Sequence, residues 1–159
     1  MSAQTVYSFS TPIGQAGGIY DLAPYEVDAF CNESENGVMK FGMGVVAGTN
    51  AGNGVKVGAG DFEGIVTNRR TTENAILGGV VLNKGCTVGV MRYGRIYGLL
   101  AADEEPAYGD AVYLVTTGDD AGCFSKTATD NTAVAGRFLG GAHDGIALIE
   151  LFNQAQPTE

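Results

Sequence analysis

Phe41-Gly42-Met43-Gly44-Val45-Val46-Ala47-Gly48-Thr49-Asn50-Ala51-Gly52-Asn53-Gly54-Val55-Lys56-Val57 reads as strand, loop, strand. Val45 and Val46 supply a short apolar run. Gly48–Gly54 is a glycine- and asparagine-rich turn, the chemistry that lets a chain reverse at φ > 0. Val55-Lys56-Val57 then alternates as a half-buried strand does.

The same punctuation runs outward from this segment. There are 25 glycines in 159 residues, more than twice the usual share of about 7%. Between them lie short β-type runs at 38–46, 62–67, 87–91, 95–100, 111–116 and 145–151. Further strands are expected around 80–82, 123–125 and 134–138, about ten in all, at the 8–12-residue spacing of sandwiches and barrels. Glycine at this density disfavours helix interiors. The fold class is therefore all-β: a jelly roll or a related β-barrel or sandwich. Thr117–Gly122 reads as a hairpin loop, and Asn68–Asn74 as a polar surface loop. In the last strand Ile146, Leu148 and Glu150 share one face, and Ala147, Ile149 and Leu151 the other. A strand apolar on both faces is central to a sandwich or buried in a subunit contact.

Three parts are expected: an extended N-terminal arm over 1–37, a β-body over 38–153 and a tail over 154–159. The arm carries five of the fourteen aromatics, Tyr7, Phe9, Tyr20, Tyr25 and Phe30, whereas disordered tails are aromatic-poor. It is read as a docking segment, whether on its own body, a sister subunit or another protein. Ala23–Phe30, with Pro24 near its start, is expected to form one or two helical turns. The interface candidates are Tyr7, Phe9, Ile13, Tyr20, Tyr25 and Phe30.

Charge narrows the partners. The net charge is −9, which repels phosphate backbones and argues against nucleic acid. No apolar stretch approaches the ~20 residues of a membrane-spanning helix. Residues 1–39 hold five acids and no Lys or Arg, so no secretory leader is expected. Cys31, Cys86 and Cys123 are odd in number and widely spaced. They read as small buried hydrophobes in a reducing compartment, not as a disulfide framework or a zinc site.

A search for chemistry finds no catalytic set, and no cofactor or metal is expected. His143 and Asp144 are adjacent in a glycine-rich turn, where no nucleophile motif accompanies them. Gly58–Gly64 precedes a strand where a dinucleotide loop precedes a helix. The acids of Asp103–Glu105 and Asp119–Asp120 lack the offsets of a calcium loop. The chain has no Trp, which weakens both a lectin and a glycosidase reading.

Several segments, in order, resemble the structural cement, or head-decoration, proteins of tailed bacteriophages. Pro12-Ile13-Gly14-Gln15-Ala16-Gly17 is similar to the family's N-terminal Pro-Gly-Gln segment. Phe41–Gly48 resembles its first core strand, Asp61–Val66 the strand after a variable loop, and Tyr108-Gly109-Asp110-Ala111-Val112-Tyr113 its Gly-Asp-x-Val-Tyr element. Ala133–Phe138 and Gly145–Leu151 resemble the closing pair. The likeness runs over most of 12–153, with 68–107 unmatched.

That resemblance implies a barrel body with an extended arm and no active site. It implies a homo-oligomer, trimer first and dimer second, made in the host cytoplasm and seated on the outer capsid surface of the virion. The implied partner is the major capsid protein. Deleting residues 1–30 is expected to weaken attachment or oligomerisation and leave a folded body. Two other readings remain at this point: an exposed virion carbohydrate-binding or adhesive β-domain, and a small β-fold hydrolase.

Overall fold

The computed structural model describes residues 14–68 and 81–153. Tyr7, Phe9, Ile13 and most of the Asn68–Asn74 loop lie outside the described residues.

One long strand organises the molecule. Nine strands are present among the described residues: β1 (Glu26–Asn32), β2 (Gly44–Ala47), β3 (Gly54–Lys56), β4 (Phe62–Val66), β5 (Thr87–Leu99), β6 (Ala111–Leu114), β7 (Phe124–Ser125), β8 (Thr132–Phe138) and β9 (Ile146–Leu151). β1 pairs with β3, β3 with β2, β2 with β4, β4 with β5, and β5 with β1 again, which closes a five-stranded barrel. The C-terminal half of β5 pairs with β9, and β8, β6 and β7 follow in a second sheet. The all-β expectation holds in its barrel form.

Burial on both faces explains the apolar runs. Val45, Val66 and Val90 point into the barrel, with Phe30, Met39, Val55, Leu82 and Val88. Their neighbours Val46, Ile65 and Met91 point the other way. Those three pack under the second sheet against Ile96, Leu114, Phe124 and Ile149. A strand shared by two cores needs an apolar residue at every position, so period-two alternation disappears. Each fully buried Val, Ile, Leu or Phe contributes about 1.5–3 kcal/mol relative to exposure. β9 lies between β5 and β8. Its two apolar faces therefore belong to a central strand.

Four expectations need correction. Ala23–Phe30 forms no helical turn: Glu26–Asn32 is β1, paired antiparallel with β5 from Glu26–Tyr93 to Cys31–Thr87. β5 on one side and β3 on the other supply those backbone partners, whereas an isolated turn must nucleate. The stretch 26–32 is thus a strand of the barrel. The runs 87–91 and 95–100 are one strand, because Gly94 (φ +125°) bends the chain without ending it. Of the run 38–46, only the part from Gly44 is strand. Before it, Val38 N donates to Glu35 O (3.2 Å) and Met43 N to Lys40 O (3.3 Å), both turn bonds. Val81 and Leu82 are irregular. Asn32 Nδ2 donates to the carbonyls of Leu82 (3.4 Å) and Asn83 (3.1 Å), which fixes this segment without a ladder.

Candidate functional site

Residues 17–20 run alongside β5 and are held to it by backbone hydrogen bonds and one isolated bridge. Gly17 N donates to Tyr97 O (2.8 Å), Tyr97 N to Gly18 O (3.1 Å) and Tyr20 N to Arg95 O (3.0 Å). Ile19 thereby faces Ile96 in an antiparallel bridge. Gly17 is wedged in: a Cβ there would stand 2.7 Å from Val66 O, and its φ is +73°.

The arm then bulges outward. Seven positions separate Ile19 from Glu26, but only three separate their partners Ile96 and Tyr93. The extra chain loops out as Asp21-Leu22-Ala23-Pro24-Tyr25. Asp21 holds this loop with both oxygens: Oδ1 accepts from Ala23 N (3.2 Å), and Oδ2 pairs with Arg95 Nη1 (3.2 Å). Leu22 projects from it, 94% exposed. Under the loop lies a hollow of about 210 Å³ between Pro24, Tyr93, Gly94, Arg95, Glu150 and Leu151. Tyr93, which lines it, is exposed, as is Phe152, the residue after Leu151. Large exposed apolar side chains gathered in one place mark an interaction surface.

The sequence candidates divide here. Tyr20 is half-buried and packs edge-on against Tyr97, ring centroids 6.1 Å apart. It rivets the arm to the body. Tyr25 is exposed and backs onto Gly94, where a Cβ would stand 2.7 Å from Tyr25 Cβ. Phe30 is 6% exposed inside the barrel, so it is withdrawn as a contact residue. Leu22, Tyr93, Tyr108 and Phe152 are exposed large side chains that the sequence candidates do not include. Aromatic content singled out 1–30, but Leu22 is displayed by a register mismatch between two strands, which composition does not encode.

Catalytic alternatives find little support among the described residues. His143 Nε2 and Asp144 Oδ2 are 3.3 Å apart, both in solvent. Glu104 is committed to structure, accepting from Ser125 Oγ (2.6 Å) and Lys126 N (3.3 Å). Asp120 Oδ2 accepts from Ala102 N (3.2 Å). Among the described residues no group of three or more His, Cys, Asp or Glu stands close enough to hold a metal ion. A cleft of about 350 Å³ at the arm root is lined by Gln15, Met39, Lys40, Phe41, Leu82 and Leu99 among others. Its described lining contains one base, Lys40, and no acid. Burial, with Asp120 nearby, pushes the Cys123 thiol above its ordinary value, which favours the thiol over the nucleophilic thiolate.

A family model described as Structural cement protein (E217 gp24/Pam3 gp6) matches residues 3–152. The chain belongs to this phage structural cement family. The family is structural and not enzymatic, and membership supports a capsid-stabilising role. Among solved structures, a chain in the capsid of Myoviridae phage XM1 matches with a TM-score of 0.74 and 18% identity, over 98% of this chain and 100% of that one. At that identity the likeness shows the fold alone. The N base of head fiber gp8.5 of bacteriophage phi29 matches with a TM-score of 0.41 and 16% identity, over 85% of this chain and 100% of that one. No curated protein matches.

Proposed function

We propose that this chain attaches as a homo-oligomer to the outer surface of an assembled phage head and bridges neighbouring capsomers of the major capsid protein. The observation that carries the reading is the ordered, solvent-facing Asp21–Tyr25 loop on a chain of the cement family. Packaged DNA presses the capsomers apart. A protein that touches two capsomers binds the assembled shell better than free subunits, and that differential affinity stabilises the shell. Each contact can be weak, because several made at once raise the effective concentration of the rest. Closed symmetry lets identical contacts recur around a local axis of the lattice.

The arm is the connector in this reading. Its described part is anchored by backbone bonds to β5, and residues 1–13 carry Tyr7, Phe9 and Ile13 without a charged side chain. Tyr and Phe are favoured at the centres of protein interfaces. The net charge of −9 steers the chain from DNA toward basic patches on the shell. Binding of the purified chain to decoration-free heads tests the proposal.

A further inference from the structure

His143-Asp144-Gly145-Ile146 forms a two-residue hairpin at the start of β9. His143 N donates to Ile146 O (2.9 Å) and Ile146 N to His143 O (3.1 Å). The φ angle is +51° at Asp144 and +76° at Gly145. Positive φ at both central positions makes a type I′ turn, which Asp-Gly suits. This turn leaves two groups open to each other. The Asp144 side chain is 90% exposed, and Gly145 N donates no hydrogen bond among the described residues. A main-chain nitrogen one residue beyond a carboxyl group can close a five-membered ring on it. Glycine leaves that approach unobstructed, and even a Cβ at Gly145 would meet nothing within 4 Å. His143 Nε2 stands 3.3 Å from Asp144 Oδ2, close enough to hand that oxygen a proton directly or through one water.

Two other dipeptides carry the same chemistry, Asn36-Gly37 and Asn53-Gly54, and both are held. Gly37 N donates to Leu82 O (3.2 Å) and Gly54 N to Asn50 O (2.8 Å). Asn36 Oδ1 accepts from Lys84 N (2.8 Å). Asn53 O accepts from Cys31 N (2.9 Å), where β3 begins beside β1. Closing a ring at either asparagine breaks a bond of the attacking nitrogen. Closing it at Asp144 does not.

We propose that Asp144-Gly145 is a site of spontaneous chain modification, where aspartate converts to isoaspartate through a cyclic imide. Gly145 N attacks Asp144 Cγ. The N–Cγ bond forms and one Cγ–Oδ bond breaks. The leaving oxygen takes the amide proton through solvent and a second proton from the His143 imidazolium, and departs as water. The imide then takes up one water. Attack at the Asp144 main-chain carbonyl breaks its bond to Gly145 N and leaves isoaspartate, with the chain running through Cβ. Attack at Cγ restores aspartate. Water is the only co-reactant, and nothing is oxidised or reduced. The product has one extra main-chain carbon between His143 and Ile146 and keeps its negative charge. Gly145 O accepts from Leu100 N (2.9 Å), just past the end of β5. The extra carbon therefore loosens the start of β9, and each copy of the chain carries a record of its age at this turn. The inference concerns the chemistry of the chain itself and stands apart from the proposed function.

The test incubates the full native chain in mildly acidic buffer made with heavy-oxygen water, then digests it in ordinary water for peptide mass spectrometry. Electron-transfer fragmentation separates isoaspartate from aspartate. Asp144 is expected to gain one heavy oxygen about tenfold or more faster than Asn36 or Asn53. In urea the order reverses. Ammonia leaves an asparagine side chain more easily than water leaves an aspartate, and the hydrogen bonds that held the two Asn-Gly pairs are gone. D144N, which tolerates positive φ, is expected to convert faster than the wild type. D144E, which needs a six-membered ring, is expected to gain no heavy oxygen at this position. H143Q is expected to slow conversion severalfold. Circular dichroism reports whether each variant keeps its strands. No heavy oxygen at Asp144, uptake at Asn36 or Asn53 as early as at Asp144 in the native chain, the same order in urea, or uptake that persists in D144E overturns the proposal. An H143Q rate equal to that of the wild type overturns the proton transfer assigned to His143.

Discussion

The Phe124 ring and Ile149 Cδ1 together occupy the space that a side chain on Gly98 would fill. A Cβ at Gly98 would stand 3.0 Å from Phe124 Cδ2, and one at Gly44 would stand 2.8 Å from Phe124 Cζ. Phe124 is fully buried where the barrel wall meets the second sheet. Two glycines on separate strands thus make room for the Phe124 ring beside Ile149 and Leu114, and the ring joins the two layers. Gly98→Ala is expected to destabilise the fold by about 1–3 kcal/mol through overpacking. Phe124→Ala is expected to cost about 3–5 kcal/mol through the cavity it leaves. Chemical denaturation of the two variants checks this, and an unchanged midpoint for either one contradicts this packing.

Glu33 fastens the β2–β3 loop. Its carboxylate accepts from Thr49 N and from Asn50 N (3.1 Å). The Asn50 and then the Thr49 backbone donors hold its pKa below the ordinary carboxylate value. A depressed folded-state pKa adds stability above the unfolded value, and that stability is lost as pH falls through the folded one. The wild type is therefore expected to lose melting temperature on acidification in a part that Glu33→Gln does not show. Melting curves between neutral and acid pH measure the difference. Identical slopes for the two proteins would remove this role from Glu33.

The three cysteines differ in setting. Cys123 is buried with its thiol pKa raised, and Cys31 and Cys86 are half-buried. In the native protein Cys123 is expected to react with a thiol reagent more slowly than the other two. Peptide mass spectrometry after timed labelling ranks them. Early labelling of Cys123 would contradict its burial.

The position of β1 redraws the arm truncation. Removing residues 1–30 deletes most of a barrel strand that pairs with β5, so it is expected to unfold the body. Removing 1–13 leaves Gly17, Gly18 and Tyr20 on their β5 partners. That shorter protein is expected to keep the wild-type circular dichroism spectrum and to bind heads more weakly. Undiminished head binding takes the connector role away from residues 1–13.

The sequence showed the class of fold and the site only in outline. Val45-Val46 and Ile65-Val66 announce strands through β-branched side chains, and Gly118 and Gly52 announce their turns. The union of 87–91 with 95–100 was hidden, because Gly94 looks the same whether it bends a strand or ends it. β1 was hidden because Pro24 and the acids after it suit a helix start, while its actual partners on β5 lie more than fifty residues away. At the site, Tyr20 and Tyr25 were legible as aromatics, but their separate tasks were not. Leu22 and Tyr108 carry no local signal. Their exposure follows from a looped-out register and from a turn on a distant strand, both products of tertiary pairing.

The most direct measurement is co-sedimentation of the purified chain with expanded, decoration-free heads of its source phage, across a salt series. The account predicts saturable binding at a fixed ratio to the major capsid protein, weakening as salt screens the acidic surface. Absence of binding at every salt concentration contradicts it.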